Sequence, residues 1–358
     1  MVSEIFSDNE INSDKIELKR VNPYLNINKF KRKTFSIKDE FKKLLAGDTI
    51  ALGKAITLIE SSNPYHKKKA NNIIKKCLPY SGKSIRIGIT GVPGVGKSTF
   101  IETLGLYLIN EGHKVAVLTI DPSSEISKGS ILGDKIRMEN LSKQKNAFIR
   151  STPSGGNLGG VARTTRETML LCEAAGFDII IIETLGVGQS ETTIKKLTDV
   201  FVLLVLPNSG DEIQGIKRGI MEMSDFILIT KADGDNLQAS YITYNQMLNI
   251  VNLLPKKDNN WTPKVILTSA KTNLGIKETW SEIYNYINYI KQNNFFYENR
   301  KKQNTYWMME TLNNIINQYI NNNKKIKKLI NKLEKKLENN KISPFEAAEY
   351  LFLKIFKS

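Results

Sequence analysis

The densest chemistry in this chain lies in nine residues, Gly91-Val92-Pro93-Gly94-Val95-Gly96-Lys97-Ser98-Thr99. Gly91, four intervening residues and then Gly96-Lys97-Ser98 is the spacing of a loop whose glycines let successive backbone N–H groups turn inward on an anion. In such a loop Lys97 reaches the β- and γ-phosphates of a nucleoside triphosphate, and the Ser98 hydroxyl sits on Mg²⁺. Gly91, Gly94, Val95, Gly96 and Thr99 complete the cradle, and the positive end of the following helix adds its dipole. A glycine turn that matched by accident would rarely have a strand before it and a helix after it.

Two strand-end acids extend the site. Asp121 heads Asp121-Pro122-Ser123-Ser124 at the end of an apolar run, the place for a Mg²⁺ or water-positioning group on a strand beside the first one; a helix cap or turn is the alternative. Glu183 ends the apolar run Asp178–Ile182 and opens Glu183-Thr184-Leu185-Gly186-Val187-Gly188-Gln189. Its carboxylate suits the Mg²⁺ water shell, with the glycine N–H groups, Gly186 first, facing the γ-phosphate; a solvated strand-end acid is the plainer reading. Such a loop can order in the triphosphate state and relax after hydrolysis.

The base has its own signature. Thr230-Lys231-Ala232-Asp233 and Thr268-Ser269-Ala270-Lys271 each follow a short apolar run. In that arrangement Asp233 accepts from the guanine ring N–H and exocyclic amine while the Lys231 stem covers the ring, with Ser269, Ala270 and Lys271 closing the other side. Adenine reverses those donors and acceptors and would leave the acid unpaired at a cost of ~1–3 kcal/mol. GTP or GDP is therefore the expected nucleotide.

These residues need strands to hold them. Apolar runs at Ile85–Thr90, Val115–Ile120, Ala147–Ile149, Asp178–Ile182, Val200–Leu206, Phe226–Ile229 and Val265–Leu267 predict a mostly parallel sheet in an α/β fold. Residues 1–35 are polar and aperiodic and read as a disordered or loosely packed tail. Apolar periodicity over 36–82 predicts a layer of helices, with Ile37, Phe41, Leu44 and Leu45 on one face, then Ile50–Ser61 and Lys68–Leu78, and a linker at Pro79–Lys83. The nucleotide domain would span 83–292. Over 293–358 the pattern predicts helices from Thr305 to Ile320 and Lys324 to Asn339. Another begins at Ser343-Pro344-Phe345-Glu346, a capping box with Pro at the first helical position. Trp307, Met308, Leu312, Ile315 and Ile316 give this region more apolar surface than a hairpin hides, so it reads as a homodimer interface or as packing back on the sheet.

At 358 residues the chain suits one α/β domain with helical additions. No apolar run approaches a membrane span and Met1–Lys19 has no signal-peptide core, so a cytoplasmic protein with no membrane partner is expected. Cys77 and Cys172 are the only cysteines and read as buried structural thiols; His66 and His113 read as surface residues. The net charge of +16 is diffuse. Its one dense run, Asn321–Lys341, has eight Lys against two Glu, but Ile326, Ile330, Leu333 and Leu337 recur at 4-3-4 spacing within it. That is an amphipathic helix with a solvated basic face, which argues against nucleic acid as a partner.

Taken together, Gly91–Thr99, Asp121–Ser124, Gly129–Met138, Glu183–Glu191 and Gly210–Gly219 resemble the MeaB/ArgK family of P-loop GTPases, over about Lys38 to Leu353. Members are chaperones of methylmalonyl-CoA mutase and related adenosylcobalamin-dependent mutases, formerly labelled LAO/AO transport ATPases. The resemblance implies GTP hydrolysis, a catalytic set of Lys97, Asp121, Asp134 and Glu183, and Mg²⁺ held by Ser98, Asp121, Asp134 and Glu183. It also implies a cobalamin-dependent mutase as partner, signalled through Asp211–Lys217. The family usually carries Asn where this chain has Thr230, which implies one hydrogen bond weaker to guanine or to the loop, and usually a glycine near Asn208. A metallochaperone-type GTPase would need a Cys/His cluster that the sequence lacks, and a nucleic-acid-associated GTPase would rest on net charge alone.

Overall fold

The central apolar runs form strands buried on both faces, and those at Ile85–Thr90 and Ile179–Ile182 give way at the rim of the sheet to Gly91 and to Glu183. The computed structural model describes residues 37–61, 63–121, 137–153, 158–184, 190–207 and 218–356. The expected tail at 1–35 and the stretches containing Asp134, Gly186 and Asp211–Lys217 lie outside the described residues, as does the side chain of Asp121.

In chain order the elements are α1 (Ile37–Leu45), α2 (Thr49–Glu60), α3 (Pro64–Cys77), β1 (Ile85–Gly91), α4 (Lys97–Asn110), β2 (Val115–Asp121), α5 (Glu139–Ser142) and β3 (Ala147–Pro153). Then follow α6 (Leu158–Ala174), β4 (Ile179–Thr184), α7 (Ser190–Lys195), β5 (Val200–Val205), α8 (Arg218–Met223), β6 (Phe226–Ile229), α9 (Leu237–Asn252) and β7 (Lys264–Leu267). The chain continues through α10 (Ile276–Gln292), α11 (Phe295–Asn322), α12 (Lys324–Glu338) and α13 (Pro344–Phe356).

The sheet order is β3-β2-β4-β1-β5-β6-β7, and every pairing among these strands is parallel. β1 is central, between β4 and β5. This corrects one expectation: β2 does not lie beside β1, because β4 separates them. At about 4.8 Å per strand, Asp121 ends two strands away from the loop that follows β1, whereas Glu183 ends on its neighbour.

Alternation along each strand makes two cores. Ile180, Ile182, Leu118, Phe201, Leu203 and Ile227 face one side with Leu52, Ile56 and Ile73 of α2 and α3 and Met169 and Leu171 of α6. Ile179, Ile181, Val115, Val117 and Val202 face the other side with Phe100, Leu104 and Leu108 of α4 and Ile283, Ile287 and Ile290 of α10. Cys77 and Cys172 are buried free thiols, as the sequence predicts. The predicted capping box is present at α13: the Ser343 Oγ accepts from Glu346 N at 3.1 Å and Glu346 Oε2 accepts from Ser343 N at 3.0 Å.

The end of the sheet opposite the loop is tied together by charge. Arg300, in the first part of α11, donates from Nε to Asp199 Oδ1 at 2.8 Å and from Nη2 to Asp199 Oδ2 at 2.7 Å, and also to the carbonyls of Gly82 and Ser84. Gln303 and Trp307 follow on the same face and donate to the carbonyls of Thr198 and Lys196. Trp307 is 5% exposed and belongs to the core rather than to the free apolar face of α11, where Met308, Leu312 and Ile315 remain exposed. Asp225, 1% exposed, accepts from Lys195 Nζ at 2.6 Å, Lys257 Nζ at 2.7 Å and Phe201 N at 2.8 Å.

Candidate functional site

β1 delivers Gly91 into the loop, and no other residue fits there. Its φ is 153°, and a Cβ would stand 2.6 Å from the Leu204 carbonyl oxygen of β5 and 3.0 Å from Val95 Cγ1. The chain then turns so that Val95 is wholly buried as an anchor and Gly96, at φ 96°, caps α4 in the left-handed region. α4 begins at Lys97 itself, so Lys97, Ser98 and Thr99 occupy its first turn, where backbone N–H groups have no helical partner.

Lys97 is 7% exposed and folds back over the loop, donating from Nζ to the Gly91 carbonyl at 2.8 Å and to that of Val92 at 3.2 Å. Burial pushes its ammonium below the ordinary lysine value; the Glu183 carboxylate opposes the fall and the Arg137 guanidinium adds to it. Arg137 thus brings positive charge to this end of the loop, a feature absent from the sequence reading although it lies within the quoted Gly129–Met138 stretch. Ser98 Oγ donates to Glu183 Oε1 at 3.0 Å, and Glu183 is in register with Ile89 of β1. Thr184 Oγ1 bonds Thr90 Oγ1 at 3.0 Å, which locks the ends of the two strands together.

A hydroxyl and a carboxylate oxygen side by side at a helix start form a hard-oxygen donor set suited to Mg²⁺. Among the described residues no group of three or more His, Cys, Asp or Glu side chains is arranged to hold a metal, and both Asp134 and the Asp121 side chain lie outside them.

The second predicted cluster meets the first across a cavity of about 250 Å³. Gly96, Thr99 and Val95 line one side, and Lys231, Asp233, Ala270 and Lys271 the other. Thr230 Oγ1 donates to the Val95 carbonyl at 2.8 Å, so the end of β6 holds the loop directly. Lys231 takes φ 56° and sends Nζ to the Gly94 carbonyl at 3.0 Å, laying its stem along the cavity. Ser269 Oγ donates to Asp233 Oδ2 and accepts from Thr272 N at 3.2 Å, which tethers one oxygen of the carboxylate. Ala232 N bonds the Thr268 carbonyl at 3.0 Å and joins the two loops.

A glycine loop between the central strand and a helix, on an all-parallel sheet with strand-end acids at one rim, defines a P-loop nucleoside triphosphatase. The chain has 33% identity and a TM-score of 0.74 to the crystal structure of an LAO/AO transport system kinase, covering 90% of this chain and 98% of that one. Within the class, it belongs to the family described as methylmalonyl Co-A mutase-associated GTPase MeaB, whose model matches residues 52–325. It is 49% identical over 266 residues to a putative GTPase of Caulobacter vibrioides, across 74% of this chain and 81% of that protein. It is 39% identical over 309 residues to the GTPase ArgK of Escherichia coli, across 86% and 93%. To the methylmalonic aciduria type A homolog, mitochondrial, of Mus musculus it is 41% identical over 325 residues, across 88% and 78%. The protein is a GTPase.

Proposed function

We propose that this GTPase is a chaperone of an adenosylcobalamin-dependent mutase, with methylmalonyl-CoA mutase as the first candidate client. The family match over residues 52–325, under a name that ties its members to that mutase, is the observation that carries the proposal. The match to a methylmalonic aciduria type A homolog supports it.

In this reading the triphosphate lies along Gly91–Thr99, and Lys97 exchanges the Gly91 and Val92 carbonyls for phosphate oxygens. The exchange keeps the ammonium hydrogen-bonded throughout, so its low exposure does not oppose binding. Ser98 and Glu183 would hold Mg²⁺, with Asp121 and Asp134 as further acids toward its water shell and Gly186 toward the γ-phosphate. When bound, Mg²⁺ supplies charge neutralisation on the β- and γ-phosphate oxygens. Asp233, one oxygen of which is tethered by Ser269, accepts from the guanine N1–H and 2-amino group. The Lys231 stem covers one face of the base, and Ala270 and Lys271 bound the other side. The exposed Met308, Leu312, Ile315 and Tyr319 on α11 support a homodimer through the C-terminal helices.

The test is GTP turnover by wild type and by Lys217→Ala, each with and without the mutase. The proposal predicts that the mutase accelerates wild type and loses most of that effect on the variant, with GTP affinity nearly unchanged. Equal turnover with and without every cobalamin-dependent mutase tried would remove the client.

A further inference from the structure

We infer that Arg137 is a further catalytic residue of this GTPase: its guanidinium supplies, from within the same chain, positive charge to the γ-phosphate as that group passes to water. The inference rests on the triphosphate lying along Gly91–Thr99 and adds to that reading a group that acts on the transferred phosphoryl.

The place of Arg137 is set by α4. Met138 and Leu141 are 0% exposed and share a core with Phe100 and Leu104. Leu141 lies against Gly105, where a Cβ would stand 2.8 Å from Leu141 Cδ2. Glu102 Oε1 accepts from Asn140 N at 2.7 Å, so the backbone three residues after Arg137 is fastened to the helix that starts at Lys97. Side chains of a helix lean toward its N-terminus, so this clamp holds at the phosphate-loop end of α4. The electrostatics agree. Burial is the main reason the Lys97 ammonium lies below its ordinary value; Glu183 opposes the fall and the Arg137 guanidinium adds to it, so that guanidinium stands within electrostatic reach of Lys97.

The sheet order says which phosphate Arg137 meets. The base cavity lies at the ends of β6 and β7, on one side of β1, whereas α5 packs against α4 and β3, on the other side. Glu183, on β4, is on that second side too. A triphosphate that leaves the base cavity and crosses the loop therefore presents its terminal phosphate toward Arg137. The side chain is exposed and makes no ion pair or hydrogen bond with another described residue. Lys97 and Arg137 repel one another, and a polyanion between them turns that repulsion into attraction.

In hydrolysis the water oxygen forms a bond to the γ-phosphorus, and the bond from that phosphorus to the β–γ bridging oxygen breaks with its electron pair left on GDP. The proton lost by the water ends on the released phosphate or in solvent. Arg137 moves no proton, since guanidinium stays charged; it balances the charge that develops on the γ-phosphoryl and bridging oxygens.

The experiment measures single-turnover GTP hydrolysis and GDP affinity for wild type, Arg137→Lys and Arg137→Ala. GDP has no γ-phosphate, so Arg137→Ala should keep GDP affinity within about threefold while hydrolysis falls at least tenfold and on the order of 100-fold. Arg137→Lys keeps the charge without the planar fork and should recover part of the loss. Millimolar guanidinium chloride should raise hydrolysis by Arg137→Ala above the level in equal sodium chloride and leave wild type unchanged.

A fall in hydrolysis of less than about tenfold in Arg137→Ala overturns the inference. So does a loss of GDP affinity in proportion to the loss of turnover, or a slow variant that guanidinium does not raise, because the side chain would then shape the site rather than act in it. Unchanged GTP affinity in Lys97→Ala is a different failure, since it removes the triphosphate from the loop.

Discussion

Asp225 is a point where several elements of the protein depend on one carboxylate, and Asp225→Asn tests how much. Its side chain is 1% exposed, and its two oxygens serve three donors: Lys195 Nζ at 2.6 Å and Phe201 N at 2.8 Å on Oδ2, and Lys257 Nζ at 2.7 Å on Oδ1. Lys195 ends α7 and Asp225 follows α8, so the node joins the far ends of the helices after 185–189 and 208–217. Asparagine is nearly isosteric, and its amide oxygen can keep the Oδ2 side. Its NH₂ group then faces the Lys257 ammonium, donor against donor, and the negative charge between two cations is gone. Lys257 retains the Ser224 carbonyl at 2.5 Å, which limits the damage. Removing one partner of a buried pair costs ~3–5 kcal/mol, and the retained bonds place this variant near the lower end, about 3 kcal/mol. Urea unfolding at pH 7 would read that as a midpoint about 1 M lower.

The pH dependence gives a second readout of the same variant. Burial raises the Asp225 pKa, but the charges and hydrogen bonds of Lys195 and Lys257 outweigh it and hold the carboxyl below its ordinary 3.8. A group with a depressed folded pKa contributes fully above the unfolded value. That contribution is lost only as pH falls through the folded one. The gap between wild type and variant should stay constant from pH 7 to about 4 and close below that. A loss under 1 kcal/mol, or a gap that closes between pH 6 and 5, would refute the reasoning, since the lysines would then be re-solvating freely.

Replacing Lys97 with alanine removes charge-assisted bonds worth ~1.5–3 kcal/mol each, so GTP affinity measured by calorimetry should fall at least tenfold with the unfolding midpoint unchanged. Ile315→Asp places a charge on the exposed apolar face of α11, 54% exposed at this residue, and should convert a dimer to a monomer in sedimentation velocity without altering GDP affinity. A monomeric wild type would remove the dimer from the account.

The phosphate loop and base cluster were legible because their chemistry is local: Gly91, Gly96 and Lys97 act within a few residues of one another, and Asp233 and Ser269 each follow a strand. Strand order was not. Val115–Ile120 and Ile179–Ile182 are both apolar on two faces and both end near an acid, so nothing in either says which lies beside β1. Long-range pairing decides it, in favour of Glu183. α11 starts at Phe295 rather than at Thr305, because Arg300 looks solvated until Asp199, 101 residues earlier in the chain, is brought to it. Trp307 misled in the same way, its indole N–H belonging to the Lys196 carbonyl. α9, rich in Asn, Gln and Tyr, has too weak a stripe to be read alone; Met247 and Val251 become core only against β6 and β7.

The claim that matters most is that Asp233 selects guanine at the cavity beside Gly91–Thr99. Competition of GTP and ATP for labelled GDP, on wild type and on Asp233→Asn, tests it directly. The account predicts that wild type requires roughly 5- to 150-fold more ATP than GTP for the same displacement, the ~1–3 kcal/mol of an unpaired carboxylate, and that most of this ratio disappears in the variant because the amide no longer presents two acceptors to N1–H and the 2-amino group. Equal displacement of GDP by ATP and GTP from wild type would contradict it.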